Sequence, residues 1–118
     1  MALGRTEYLN LDEKKVKDIR ESMGAEDIIG PMAEKFKAFS DPNRIRILTA
    51  LEKGELCVCD ISYLMDLPQP TVSHHLKALR QLGIIQGRKS GKMTLYSIRD
   101  SRVLGLLAVA RDYSRNNV

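Results

Sequence analysis

The sequence predicts a mostly α-helical fold with one small β-hairpin near its end, and two observations lead there. Apolar residues recur at helical spacing through most of residues 11–83, alternate over 84–98, and return to helical spacing after Asp100. The chain is also about one domain long at 118 residues, 43% hydrophobic and 29% charged, which suits one core and a soluble surface. No apolar run approaches the ~18 residues that span a bilayer, so no membrane partner is expected.

Residues 1–10 read as a loose arm. Over 11–23, Val16, Ile19 and Met23 share one face of a short amphipathic helix. Ile28, Ile29, Met32, Ala33, Phe36 and Phe39 continue at helical spacing up to residue 39. Gly30-Pro31 interrupts them, since proline has no N–H and clashes with the preceding turn, so the helix either restarts at Pro31 or kinks there. Ser40-Asp41-Pro42 is a helix start, with Asp as cap and Pro at the first position. Ile45, Leu48 and Leu51 form the apolar stripe of that helix, and Gly54 ends it. A third helix is expected from about Cys59 to Asp66, with Ile61, Leu64 and Met65 inward. Leu67-Pro68-Gln69 then turns the chain, and Pro70 opens a fourth helix whose Val72, Leu76 and Leu79 face the core up to Gly83.

From Gly83 the period becomes two. Ile84–Arg88 and Met93–Ile98 read as strands joined by a turn at Lys89-Ser90-Gly91-Lys92. Asp100 caps a final helix carrying Val103, Leu104, Leu106, Leu107, Val109 and Ala110, apolar nearly all round. A terminal helix in so small a domain cannot hide that surface alone, which argues for a partner subunit.

Charge is distributed unevenly along this order. The net charge is +4, yet residues 67–99 carry Lys77, Arg80, Arg88, Lys89, Lys92 and Arg99 with no carboxylate. Such a block is an electrostatic footprint for a polyanion. Two helices, a short turn, a further helix and a β-hairpin together make a winged helix-turn-helix. The second helix of such a pair lies in the DNA major groove. With Val72, Leu76 and Leu79 inward, Gln69, Thr71, Ser73, His74 and Lys77 are left outward near its N-terminal end. Gln suits adenine, Ser and Thr bond tolerantly, and Lys reaches guanine or phosphate. Arg88, Lys89 and Lys92 cluster at the hairpin tip, where they can neutralise phosphates. Solvated surface is the bland alternative for all eight, and the charge block together with the helix order outweighs it.

Adjacent helical residues point about 100° apart, so His74 and His75 cannot readily share an ion. His74 is expected to meet DNA, and His75 to pack beside the core stripe. The two cysteines, Cys57 and Cys59, lie one residue apart in "ELCVCD". They are badly spaced for an unstrained disulfide, and they leave three readings: buried filler, a redox pair, or ligands for a soft ion. Residues two apart in a helix point roughly opposite ways, whereas in an extended segment they share a side. One ion can therefore meet both sulfurs only if Cys57 precedes the helix or the first turn unwinds.

Residues 36–98, with "SDPNRIRIL", "ELCVCD" and "SHHLKALRQLGII", resemble the ArsR/SmtB family of metal-sensing winged-helix repressors, in its arsenical-resistance-repressor-like branch. The resemblance implies a homodimer whose N-terminal helices (11–39) and C-terminal helix (99–118) flank a helical core (40–83) and a wing (84–98). It places Ile28, Met32, Phe36, Val103, Leu104, Leu107 and Ala110 at the interface. It implies an inverted-repeat operator, released when an inducer binds. Within that family "ELCVCD" resembles the thiolate site for arsenite, antimonite or soft divalent metals, so Cys57 and Cys59 are the metal-ligand candidates. Arsenic-sensing members often carry a third cysteine where this chain has Ser62. The family's last-helix zinc site looks absent, because Arg102, Tyr113 and Asn116 stand where ligands would be expected beside Asp100. A two-thiolate site suits trivalent arsenic or antimony better than a tetrahedral metal needing four ligands.

The expected function is thus a cytoplasmic DNA-binding repressor induced by a thiophilic metalloid. The nearest alternatives are induction by cadmium or lead, or a dithiol that senses oxidants or reactive sulfur with no metal. A winged helix used only for protein contacts is a reading of another class. No paired carboxylates, nucleophile–His–acid set or phosphate-cradling glycine loop points to an enzyme. The N-terminus lacks the basic-then-apolar pattern of a secretory signal.

Overall fold

A computed structural model describes residues 10–116, so the arm at 1–10 lies, apart from Asn10, outside the described residues. The chain divides at Ala33 into an N-terminal unit and a larger unit from Glu34 onward. In the first, α1 (Glu13–Ser22) is capped by Asp12, whose Oδ1 accepts the N–H of Lys15 at 2.8 Å. Val16 is half-buried, whereas Ile19 and Met23 stay exposed. Helix α2 (Glu26–Phe39) starts well before Pro31 and runs through it, so the helix does not restart there. Proline removes one N–H, and the turns on either side keep the helix continuous.

In the larger unit, α3 (Pro42–Leu51) begins under a well-made cap. Asp41 Oδ1 accepts the N–H groups of Asn43 and Arg44 at 2.8 and 3.2 Å, and Pro42 fits the first turn. This helix buries Ile47, Leu48 and Leu51, and Ile45, expected inward, is 39% exposed. Helix α4 (Val58–Met65) buries Ile61 only; Leu64, also expected inward, is exposed, and Met65 is half-buried. The left-handed Asp66 (φ 54°) ends α4 and turns the chain into α5 (Gln69–Gln81). Pro70 is the second residue of α5, not its first, and Val72, His75, Leu76 and Leu79 face the core.

Strands β1 (Ile85–Ser90) and β2 (Met93–Ile98) pair antiparallel from Ile85↔Ile98 to Ser90↔Met93. The turn is therefore only Gly91-Lys92, tighter than the four residues expected. Gly91 takes φ +64° at the first turn position, which a side chain rarely adopts. Leu56 adds a short third partner to this ribbon: its N–H reaches Tyr96 O at 3.1 Å, and Tyr96 N–H returns to Leu56 O at 2.8 Å. Helix α6 (Arg102–Asn116) closes the core through Val103 and Leu107. Among the described residues, no helix is long and apolar enough to cross a membrane.

Candidate nucleic-acid interface and cysteine pair

All five outward candidates on α5, namely Gln69, Thr71, Ser73, His74 and Lys77, are exposed along the N-terminal part of the helix. His75 sits behind them at 8% exposed, and its Nδ1 accepts the Nε–H of Arg44 at 3.1 Å. A ring nitrogen that accepts must be unprotonated, so this geometry belongs to neutral imidazole. Burial depresses the His75 pKa, the Asp41 carboxylate opposes that, and Arg44 and His74 reinforce it.

On the wing, Lys89 and Lys92 are exposed. Arg88 is engaged within the protein: its Nε and Nη2 donate to Glu55 Oε2 and Oε1, both at 2.7 Å. Those bonds hold the Glu55 carboxyl below the usual carboxylate range and raise Arg88. The fork-to-fork pairing orients the guanidinium while leaving its side chain 60% exposed, so an outer edge stays open to a phosphate.

Cys57 is the N-cap of α4, in extended backbone (φ −93°, ψ 172°), and is 7% exposed. Cys59 is in the first turn and exposed. Asp60 Oδ2 accepts the Cys57 N–H at 3.0 Å, so a carboxylate secures the start of the helix, and that backbone bond lowers the Asp60 pKa. Cys57 thus precedes the helix, the condition set by the spacing, but the two sulfurs differ in environment. One faces the core and one faces water. Gln69, the first residue of α5, donates through Nε2 to Cys59 Sγ at 3.3 Å and joins the pair to the outward face of α5. The Ser62 hydroxyl, where arsenic-sensing relatives often carry a cysteine, donates its proton to the carbonyl of Leu67. Among the described residues, no three His, Cys, Asp or Glu side chains are placed to share a metal ion. The two thiols fit a soft ion as a partial donor set.

Asp100, beside the zinc site expected to be missing, gives both oxygens to Arg102 and has its pKa pushed down to about 2 by those hydrogen bonds.

Residues 41–86 match the family described as bacterial regulatory protein, arsR family. A cadmium resistance transcriptional regulatory protein CadC homolog of Staphylococcus aureus is 37% identical over 88% of this chain and 86% of its own length. The chain belongs to the ArsR/SmtB family. An arsenical resistance operon repressor of Bacillus subtilis is 32% identical, over 70% of this chain and 79% of the relative. An uncharacterized helix-turn-helix regulator of Methanocaldococcus jannaschii is 51% identical over 60% of this chain and 81% of its own. Among solved structures, the homodimeric winged helix-turn-helix DNA-binding domain of a possible ArsR-family regulator from Mycobacterium bovis superposes with a TM-score of 0.73. It is 22% identical over 94% of each chain and shows the fold.

In this ArsR/SmtB family regulator, α4 and α5 are the helix-turn-helix and the β1–β2 hairpin is the wing. Of the α6 residues expected at a subunit interface, Val103 and Leu107 are each 8% exposed and packed into the protomer's core cluster. Leu106, Val109, Ala110 and Tyr113 are exposed on α6, and Leu104 is half-buried. Ile28, Met32 and Phe36 are exposed. Sequence reasoning missed the partners Arg44–His75 and Glu55–Arg88, which lie 31 and 33 residues apart and leave no local pattern.

Proposed function

We propose that the protein is a cytoplasmic, homodimeric repressor that holds an inverted-repeat operator and releases it when arsenite or antimonite binds Cys57 and Cys59. The observation that carries this reading is the Gln69 Nε2–Cys59 Sγ hydrogen bond, which ties the thiol pair to the first residue of α5. In the free state Cys59 holds one end of the Gln69 amide, and the Gln69 carbonyl remains available to a base edge. When arsenous acid enters, each thiol gives its proton to a hydroxide that departs as water, and one As–S bond forms per cysteine. An ion bound by both sulfurs would draw the buried Cys57 toward the exposed Cys59, which pulls on the cap made by Asp60. Gln69 then loses its acceptor, and α5 loses its seat against α4. Exposed Thr71, Ser73, His74 and Lys77 would read bases or adjacent phosphates, while Arg88, Lys89 and Lys92 would neutralise backbone charge. The exposed apolar side chains on α2 and α6 support a second copy as partner.

The name of the Bacillus subtilis relative favours arsenic, and that of the Staphylococcus aureus relative favours cadmium as the second reading. Fluorescence anisotropy on a duplex selected from a random-sequence pool separates them. Arsenite is expected to release the wild type and to leave Cys57→Ser and Cys59→Ser bound. Release by cadmium alone would replace the inducer, and release by oxidant alone would make the pair a redox sensor.

A further inference from the structure

The Cys57 segment is fastened to the wing at two points. One residue before Cys57, Leu56 exchanges both backbone hydrogen bonds with Tyr96 of β2, at 3.1 and 2.8 Å. Two residues before it, Glu55 grips Arg88 of β1 through both carboxylate oxygens. The two strands are themselves locked where these attachments meet. Tyr96 pairs with Gly87, and a Cβ added to Gly87 would lie 2.9 Å from Thr94 Cγ2 and 3.3 Å from the Tyr96 ring, so that part of the ribbon is closed up tightly. A backbone displacement at Cys57 would be passed through residues 55 and 56 to both strands, to which they are tied.

We propose that Glu55 is a positioning residue that carries inducer capture at Cys57 to the wing, by holding Arg88 in its phosphate-ready pose and withdrawing that hold when the segment turns. This rests on the reading of Cys57 and Cys59 as the inducer site, and it adds a second route beside Gln69. With the clamp made, Arg88 stands oriented on a rigid ribbon with its outer edge open. With the clamp pulled, its long side chain must be ordered by the DNA alone, and the pull of Leu56 on Tyr96 shifts the strand beneath it.

The two routes differ in their dependence on salt. Each lost phosphate contact flattens the slope of log affinity against log salt by about 0.9, whereas a lost base contact leaves it unchanged. Operator binding is measured across salt concentrations with and without arsenite, for wild type, Glu55→Gln and Arg88→Gln. Arsenite is expected to flatten the wild-type slope by about one unit per protomer. In Glu55→Gln the slope is expected to stay put on arsenite addition, with the loss of affinity at least about threefold smaller. Arg88→Gln is expected to start with the flatter slope and to show no further change. A Glu55→Gln protein that flattens and loses affinity as the wild type does would overturn the proposal and leave the arsenite reading intact. A wild type that keeps its operator in arsenite would overturn both.

Discussion

His75 lies on the inner face of α5 with its Nδ1 accepting from Arg44, so the ring must stay neutral for that bond to exist. Its folded pKa is depressed, first by burial, from a starting value of 6.5. As pH falls through that value the unfolded chain takes up the proton while the folded ring does not. The unfolded state then binds more protons, and stability declines as pH drops, until the folded ring also titrates. Denaturant melts of the wild type are expected to weaken from about pH 7.5 to about pH 5.5, with a flatter profile for His75→Gln, which offers an acceptor but does not titrate. Identical profiles for the two proteins would reject this role. Asp41 acts in a separate, lower window. Burial raises its pKa, the N–H groups of Arg44 and Asn43 outweigh that, and the stability it contributes disappears only below its ordinary 3.8.

The helices show where a periodic pattern decides a structure and where it does not. On α3 the spacing of Ile45, Leu48 and Leu51 and that of Ile47, Leu48 and Leu51 are both helical faces, rotated slightly from one another. Contact with α4, α5 and β2 selects the second, and no residue within α3 encodes that choice. Leu64 lies on the open face of α4 for the same reason, since a helix of eight residues buries little and only Ile61 is fully covered. Caps were legible at Asp41 because side chain and N–H groups are neighbours in the chain. The cysteine pair was legible as a conditional statement, and Cys57 at the N-cap satisfies it. Its ties to Gln69 and to the wing were hidden, because they join residues whose proximity only the finished fold creates. At the level of the wing, Lys89→Gln and Lys92→Gln are each expected to weaken binding to all duplex sequences alike. Each should flatten the salt slope by about 0.9 without changing the helical circular dichroism. A change in sequence preference instead would assign these lysines to base reading.

At the scale of the molecule, the exposed apolar face of α6 is where the proposed second copy can be tested. Val109 is 70% exposed and Leu106 50%, so a charge at either disturbs no protomer core. Val109→Glu is expected to give a folded monomer by analytical ultracentrifugation, with operator affinity falling at least about tenfold because two half-sites are no longer bridged. Leu107→Glu, by contrast, should fail to fold, since that side chain is part of the protomer core. A Val109→Glu protein that stays dimeric would move the interface elsewhere.

The hydroxyl of Ser62 has a bearing on how such a sensor could be retuned. It closes the end of α4 by donating to Leu67, just before the left turn at Asp66 leads into α5. A thiol there is a much weaker donor. Installing a third sulfur by Ser62→Cys would therefore strengthen the hold on arsenite while loosening the joint between the two helices that grip DNA. Tighter arsenite binding is expected to come with a lower melting temperature and a weaker grip on the operator before any arsenite is added. Under the proposed function, one substitution at Ser62 would therefore trade a stronger hold on the inducer against a looser joint between α4 and α5.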